Sequence, residues 1–337
     1  NHILFRRHVA ASVMVVTAFA CAPASAMLFD TLFIFGDSLS DTGNLNLASS
    51  GAFPDHTQGP YFGGRYSNGP LWVETLAADM GFAQAASPYL IGGNNYAFAG
   101  ARTGTANNPP GVLAQVAGIW GANNTLADPN ALYVVVGGGN DMRDARSRFT
   151  SNSSADQAGR EAAAEAAVAS LASSLGFLAS HGAKHVMISD LPDLGGSPEA
   201  NQLGLTAAST DATNRFNALL PGLLTAGKGF GLDMSFLDMA GVLQGVVTDA
   251  TTNGGAKYGI TDVTSPCAGF LGSTGDSCAI SLFSDVLHPS AAAHALIGNA
   301  AFALVAAVPE PETYALVAFG LLGVLVRARR SKQVGAT

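Results

Sequence analysis

Short apolar runs that stop at glycine constrain this chain more than any other feature. Thr31-Leu32-Phe33-Ile34-Phe35 ends in Gly36-Asp37-Ser38-Leu39. Ala131-Leu132-Tyr133-Val134-Val135-Val136 ends in Gly137-Gly138-Gly139-Asn140-Asp141. Runs this short, with no polar alternation, read as strands buried on both faces. Lys184 to Ser189 is a third, Leu232 to Leu237 reads as the last, and Tyr89-Leu90-Ile91 and Tyr96 to Ala99 read as short extended segments. Between them, helical spacing runs over Pro70–Met80, Gly111–Trp120, Ala155–His181, Ala207–Ala226 and Ala291 to about Val305. Such alternation predicts an α/β domain whose parallel sheet, of about five strands, is covered on both faces.

Composition supports a large core and narrows the partners. Of the 337 residues, 48% are hydrophobic and only 12% charged, so a single domain can bury its strands fully. The formal charge of −8 argues against nucleic acid, which needs a basic surface, and against electrostatic docking on anionic lipid.

Both ends read as processing segments. Arg6-Arg7 precede an apolar run from Val9 to Cys21, and Ala24-Ser25-Ala26 forms an A-x-A site, so residues 1–26 read as a secretory signal peptide. Cys21 would be lost with it. Cys267 and Cys278 then remain in an oxidising compartment, where a disulfide between them is expected; two free thiols are the alternative. At the other end, residues 308–337 hold Pro309-Glu310-Pro311, an apolar stretch from Tyr314 to Val326, and Arg327, Arg329, Arg330 and Lys332. The apolar stretch is shorter than the ~20 residues that span a bilayer comfortably. The tail resembles the bacterial PEP-CTERM sorting signal, which implies export and sorting machinery as a partner and transient membrane contact; a short permanent anchor is the alternative.

The chemistry is carried by side chains at strand ends. A serine hydroxyl is a weak nucleophile until a base takes its proton, the base needs an orienting group, and the developing oxyanion needs fixed donors. Ser38 follows the first strand, where ligands collect in open α/β sheets. His288 is the best base, because Asp285 lies three residues before it on a tight turn and can reach one imidazole nitrogen. Gly100 and Asn140 each follow a strand-like run and can supply a backbone N–H and a side-chain NH₂; with the Ser38 N–H they make three donors. The alternatives are a turn at Ser38 and an Asp285 that merely caps the next turn. Tyr61, Phe62, Arg65 and Tyr66, in the loop after the serine, either line a substrate cleft or cover a core edge; His56 is placed with the cleft and His294 with the structure. No metal site and no cofactor are implied.

Gly36-Asp37-Ser38-Leu39, Gly100, Gly138-Gly139-Asn140-Asp141 and Asp285-Val286-Leu287-His288 resemble, in order, the four blocks of GDSL hydrolases of the SGNH superfamily. Gly64 to Pro70, Asn95-Tyr96-Ala97, Leu191 to Gly195, Phe216-Asn217 and His288-Pro289-Ser290 are further matches, so the resemblance covers roughly Leu28 to Val305, and residues 27–307 read as one hydrolase domain. It implies a flavodoxin-like three-layer sandwich with a five-stranded parallel sheet in the order 2-1-3-4-5. It further implies Ser38 as nucleophile, His288 as general base, Asp285 as its orienter, and Ser38, Gly100 and Asn140 as the oxyanion hole. The expected activity is that of a secreted serine esterase or lipase acting on carboxylic esters. Rival expectations are a carbohydrate esterase deacetylating extracellular polysaccharide and a non-catalytic surface protein that keeps the fold. Phe98-Ala99, where relatives often carry Val-Gly, and the Gly/Thr-rich insertion Ala250–Ser281 are departures that bear on specificity.

Overall fold

The computed structural model of the protein describes residues 29–306, so the expected signal peptide and sorting tail lie outside the described residues. Four strands, β1 (Thr31–Phe35), β2 (Ala131–Val135), β3 (His185–Ser189) and β4 (Asp233–Leu237), pair in parallel in that order. Phe35 lies opposite Val135, Val134 opposite Met187, and Ile188 opposite Phe236. Successive side chains of a strand point to opposite faces, and here both faces are apolar. Leu32, Ile34, Leu132, Val134 and Met187 face α2 (Trp72–Asp79) and α9 (Ala291–Ala306) through Trp72, Leu76 and Ile297. Phe35, Tyr133, Val135, Val186 and Ile188 face α5 (Ser154–Ser180) and α7 (Thr206–Gly229) through Leu171, Leu175 and Phe216. The unbroken apolar runs of the sequence therefore have their expected cause. α5 is long and apolar enough to cross a membrane, yet its Ala164, Leu171, Leu175 and Leu178 are buried in the second core layer.

The expected fifth strand is a correction. Among the described residues the main sheet has four, and the expected position beside β1 is taken by an irregular extended segment. Ile34 N–H donates to Asn94 O, Tyr96 N–H to Ile34 O and Phe98 N–H to Gly36 O. Regular pairing is limited to a bridge at Asn95, which also bridges Pro88 on its other side. Side chains compete for the rest: Gln115 Oε1 takes the Gly36 N–H that would continue the ladder, and on the segment's outer edge the Ala97 N–H turns to Asn95 Oδ1 while Asn44 Nδ2 donates to the Asn95 and Ala97 carbonyls. Tyr89–Ile91 is likewise a single 3₁₀ turn, closed by Gly92 at φ 92°.

Several elements were not legible beforehand. α1 (Asn44–Ala48) follows the first strand's turn, and the expected helix over Gly111–Trp120 is π-helical from Ala114 to Trp120, with α3 (Gly121–Asn123) continuing it. α4 (Gly139–Arg148) grows out of the second glycine turn, α6 (Pro198–Gln202) is capped by Ser197, and α8 (Met239–Asn253) runs into the Ala250–Ser281 insertion. The rest of that insertion carries β5 (Asp262–Pro266), which pairs with β6 (Ser281–Phe283), and a disulfide joining Cys267 to Cys278. In the chain-entropy account such a short cross-link contributes about 3 kcal/mol.

Gly138 shows how tightly the second turn is built. Its φ is 113°, and a Cβ there would stand 2.5 Å from the Phe216 ring. Gly138→Ala combines left-handed strain with overpacking, each roughly 1–3 kcal/mol. Urea unfolding is expected to show a loss of about 2 kcal/mol or more, with expression of folded protein retained at low temperature.

Candidate active site

The turn after β1 is held from three sides before any chemistry is considered. Gln115, buried in the π-helical stretch, accepts from Gly36 N–H and donates to Gly36 O, both at 2.8 Å. π-helical segments often recur at functional sites because they re-aim a side chain. Asp41 collects four backbone N–H groups: Gly43 and Asn44 on one oxygen, Leu45 and Ala99 on the other. It thereby joins the start of α1 to the Ala99-Gly100 turn. Asn95 Nδ2 donates to Ser40 O at 2.6 Å and to Thr42 Oγ1 at 3.0 Å. Buried polar groups are worth most when fully paired, and here they immobilise Ser38.

The second half arrives from the other end of the chain. Between β6 and α9, Asp285 Oδ1 accepts the backbone N–H groups of Leu287 and His288, which fixes the tight turn. Ser284 Oγ donates to the carbonyls of His288 and Pro289. Ser67 Oγ donates to Pro289 O, and Asn68 Oδ1 accepts Ala291 N–H, so the Gly64–Pro70 block fastens the same loop. The Glu199 N–H at the start of α6 donates to Val286 O. Glu199 is itself gripped by Arg143 and Arg146 of α4.

These loops bring Ser38, His288 and Asp285 into one line. His288 Nε2 lies 2.9 Å from Ser38 Oγ, and Nδ1 lies 2.8 Å from Asp285 Oδ2. All three are over nine-tenths buried. Burial pushes the Asp285 carboxyl up, but the adjacent His288 and the backbone donors outweigh it and bring its pKa down to about 2. An ionised Asp285 requires the proton on Nδ1, which leaves the Nε2 lone pair to accept the Ser38 hydroxyl proton. Asp37, next to the serine, goes the other way: burial raises its carboxyl to about 6, against the opposing Leu39 N–H and His288.

The expected oxyanion donors converge less directly. Asn140, in the first turn of α4, donates Nδ2 to Ala101 O at 2.9 Å, which leaves its second amide hydrogen available. Gly100 has φ 79°, a conformation that suits glycine, and its turn is tied to Asp41 on one side and Asn140 on the other. The N–H groups of Ser38 and Gly100 donate to no acceptor among the described residues. Ser38, Asn140 and His288 border a cavity of about 500 Å³, lined further by Leu191, Leu194, Leu243, Val247 and Leu282. Gly100 is not among its lining residues.

Tyr61 and Tyr66, expected at a substrate cleft or a core edge, sit half-buried against the Asp285–His288 pair. Tyr61 OH donates to Asp285 Oδ2 at 2.7 Å, and the Tyr66 ring packs against His288 with centroids 4.9 Å apart. His56 stacks edge-on to Tyr61 and does not reach the cavity. His294 is fully buried, and its Nδ1 accepts the Trp72 N–H. Gln115 was missed altogether: one glutamine in a short helix carries no pattern that distinguishes it from a surface residue.

Comparison with known proteins gives the family of the chain. Residues 32–301 match the family described as GDSL-like Lipase/Acylhydrolase, and residues 307–330 match the PEP-CTERM protein-sorting motif. A GDSL esterase/lipase of Arabidopsis thaliana is 28% identical over 320 residues, covering 80% of this chain and 86% of the plant protein. An uncharacterized Pseudomonas putida protein of the trpE-trpG intergenic region is 30% identical over 86% of this chain, which spans about half of that relative, 51% of its length. The phosphatidylcholine-sterol acyltransferase of Aeromonas hydrophila is 28% identical over 75% of this chain and 72% of its own. The sorting motif marks the protein for export, to the surface or the medium of a bacterial cell. With four-fifths of its length matched, the chain belongs to the GDSL-like lipase/acylhydrolase family.

Proposed function

We propose that the protein hydrolyses carboxylic esters through an acyl-enzyme on Ser38, with His288 as general base and Asp285 as its orienter. The observation that carries this is the continuous hydrogen-bonded line from Ser38 Oγ through His288 to Asp285, at 2.9 and 2.8 Å. As Ser38 Oγ attacks the ester carbonyl carbon, its proton passes to His288 Nε2, and the ionised Asp285 stabilises the imidazolium. The carbonyl oxygen takes up the negative charge and is met by the Ser38 N–H, the Gly100 N–H and the free Asn140 amide hydrogen; each such donor typically contributes ~10²–10³ in rate. Collapse breaks the bond to the alcohol oxygen, which leaves with the proton from Nε2. A water then gives its proton to Nε2 and its oxygen to the acyl carbon, and Ser38 leaves with the proton. Residues 27–307 form the hydrolase domain in this proposal, with 1–26 as export signal and 308–337 as a sorting tail that touches the membrane transiently.

The cavity supports a lipid-like acyl chain as the group transferred. Leu243 and Val247 lie one turn apart on α8 and face it together with Leu191, Leu194 and Leu282. An acetyl group would occupy a small part of about 500 Å³. The name of the Aeromonas relative, an acyltransferase of phosphatidylcholine and sterol, supports the same direction.

Three outcomes are expected. Ser38→Ala lowers kcat on p-nitrophenyl esters by roughly 10⁴-fold or more; equal hydrolysis by variant and parent would overturn the nucleophile. Leu243→Phe lowers kcat/KM for decanoyl esters about tenfold more than for butyryl esters, since each pocket methylene is worth roughly 1–3 kcal/mol; an equal loss for both would place the acyl chain elsewhere, and release of acetate alone from acetylated polysaccharide would favour the deacetylase. Asp37, raised from 3.8 to about 6 in the fold, favours the folded state while protonated and costs stability as pH rises through that window. The unfolding free energy of the parent is expected to fall by roughly 2 kcal/mol more than that of Asp37→Asn between pH 4 and pH 8.

A further inference from the structure

The Asp285 carboxylate has one donor that the proposed mechanism does not use. Its Oδ1 is taken by the Leu287 and His288 N–H groups, and its Oδ2 is shared by His288 Nδ1 and the Tyr61 hydroxyl at 2.7 Å. Tyr61 stands 224 residues away in the chain and does not line the cavity, so it meets Asp285 without facing substrate. With two donors on each oxygen, the carboxylate plane cannot turn without losing a bond.

Tyr61 is held in turn by the loop that the disulfide closes. The Phe270 ring packs edge-on against Tyr61 with centroids 5.0 Å apart and is itself buried. It lies directly on Gly59, where a Cβ would stand 2.1 Å from the ring. Leu271 N–H donates to Gln58 O at 2.8 Å, and Gly269 rests on Pro60. At its root, Cys267 N–H donates to the carbonyls of Phe283 and Ser284, immediately before Asp285. The loop between Cys267 and Cys278 therefore touches Tyr61 and the two residues that precede Asp285.

Resting on Ser38, His288 and Asp285 in the roles given above, we propose that Tyr61 is a positioning residue for the Asp285–His288 pair, braced by the disulfide-closed loop through Phe270. A hydroxyl donating to Oδ2 draws charge from the oxygen that faces Nδ1 and fixes the direction in which the imidazole points. Without it, Oδ2 is left to His288 alone: the protonated imidazole is held more strongly and the pair is less well aligned. Formation of the disulfide after export then completes the alignment.

The test uses the full chain with ester substrates, in parent, Tyr61→Phe, Cys267→Ser/Cys278→Ser, the combined variant and Ser38→Ala. Tyr61→Phe keeps the ring, so its thermal midpoint checks that the fold is retained. Its kcat is expected to fall about tenfold with KM within about twofold, the worth of one charge-assisted hydrogen bond. The acid limb of its kcat/KM profile is expected to move to higher pH by about half a unit. The other titratable groups facing the pair are Asp37 on the β1 turn, Arg143 on α4, Tyr66, and His294 on α9, and all are unchanged in this variant. The serine pair lowers kcat in the same sense, and Tyr61→Phe costs less in that background than in the parent, the coupling expected of a shared brace. A Tyr61→Phe with unchanged kcat and pH profile, or with a lower kcat and an unmoved profile, overturns the positioning role. Strictly additive losses overturn the brace. An active Ser38→Ala instead removes the nucleophile on which both rest, so the two failures are distinguishable.

Discussion

The contact between Ser38 Oγ and His288 Nε2 joins two loops 250 residues apart, and a single hydrogen bond nets only ~1 kcal/mol, too little to hold them there. Each loop has to be immobilised by its own surroundings first. On the serine side this falls to Gln115 on Gly36, Asp41 on four N–H groups and Asn95 on the Ser40 carbonyl. On the histidine side it falls to Asp285, Ser284, Ser67 and Asn68, with Glu199 N–H on Val286 O. The 2.9 Å separation is thus a result of two preorganised frames.

Those frames explain where a chain with few charges uses them. Arg146 is fully buried and meets Glu199, which Arg143 also grips; Arg160 is buried against Asp211, which Arg215 shares. A buried ion pair adds little net stability, but removing one partner strands a charge at a cost of roughly 3–5 kcal/mol. Pairs of this kind therefore act as registers. The Glu199 cluster fixes α4, which carries Asn140, against α6, whose Glu199 N–H holds the Val286 carbonyl of the His288 loop. Arg160 ties α5 to α7 beneath the same layer.

The departures from the expected fold follow the same logic. Asn94 to Phe98 lies where a fifth strand was expected, but Gln115 takes the Gly36 N–H that would extend its pairing with β1, and Asn44 and Asn95's own side chain bond its outer edge. Sheet regularity has been exchanged for a shaped turn that ends at Gly100. The π-helical stretch from Ala114 to Trp120 does likewise, aiming Gln115 at Gly36. Both irregularities stand next to Ser38, where local rules are most often broken for the sake of a site.

Much of this molecule is legible in its sequence. The continuous apolar runs determine buried parallel strands, because a strand covered on both faces cannot alternate. The small residues at their ends and the Asp285–His288 spacing single out the side chains that the fold then gathers, because tight turns are local and glycine's φ is local. Asn95, Ser67 and Asn68 stood in motifs whose resemblance was legible, although what they bond was not. Tyr61, Gln115 and the lining of the cavity by Leu243 and Val247 were decided only by tertiary structure. Their contacts span from 79 residues, for Gln115 and Gly36, to 224, for Tyr61 and Asp285. No periodicity or spacing records such a meeting, since it depends on how whole layers pack. The serine's position after β1 is a property of the strand; the groups that hold its partners in line are a property of the assembled fold.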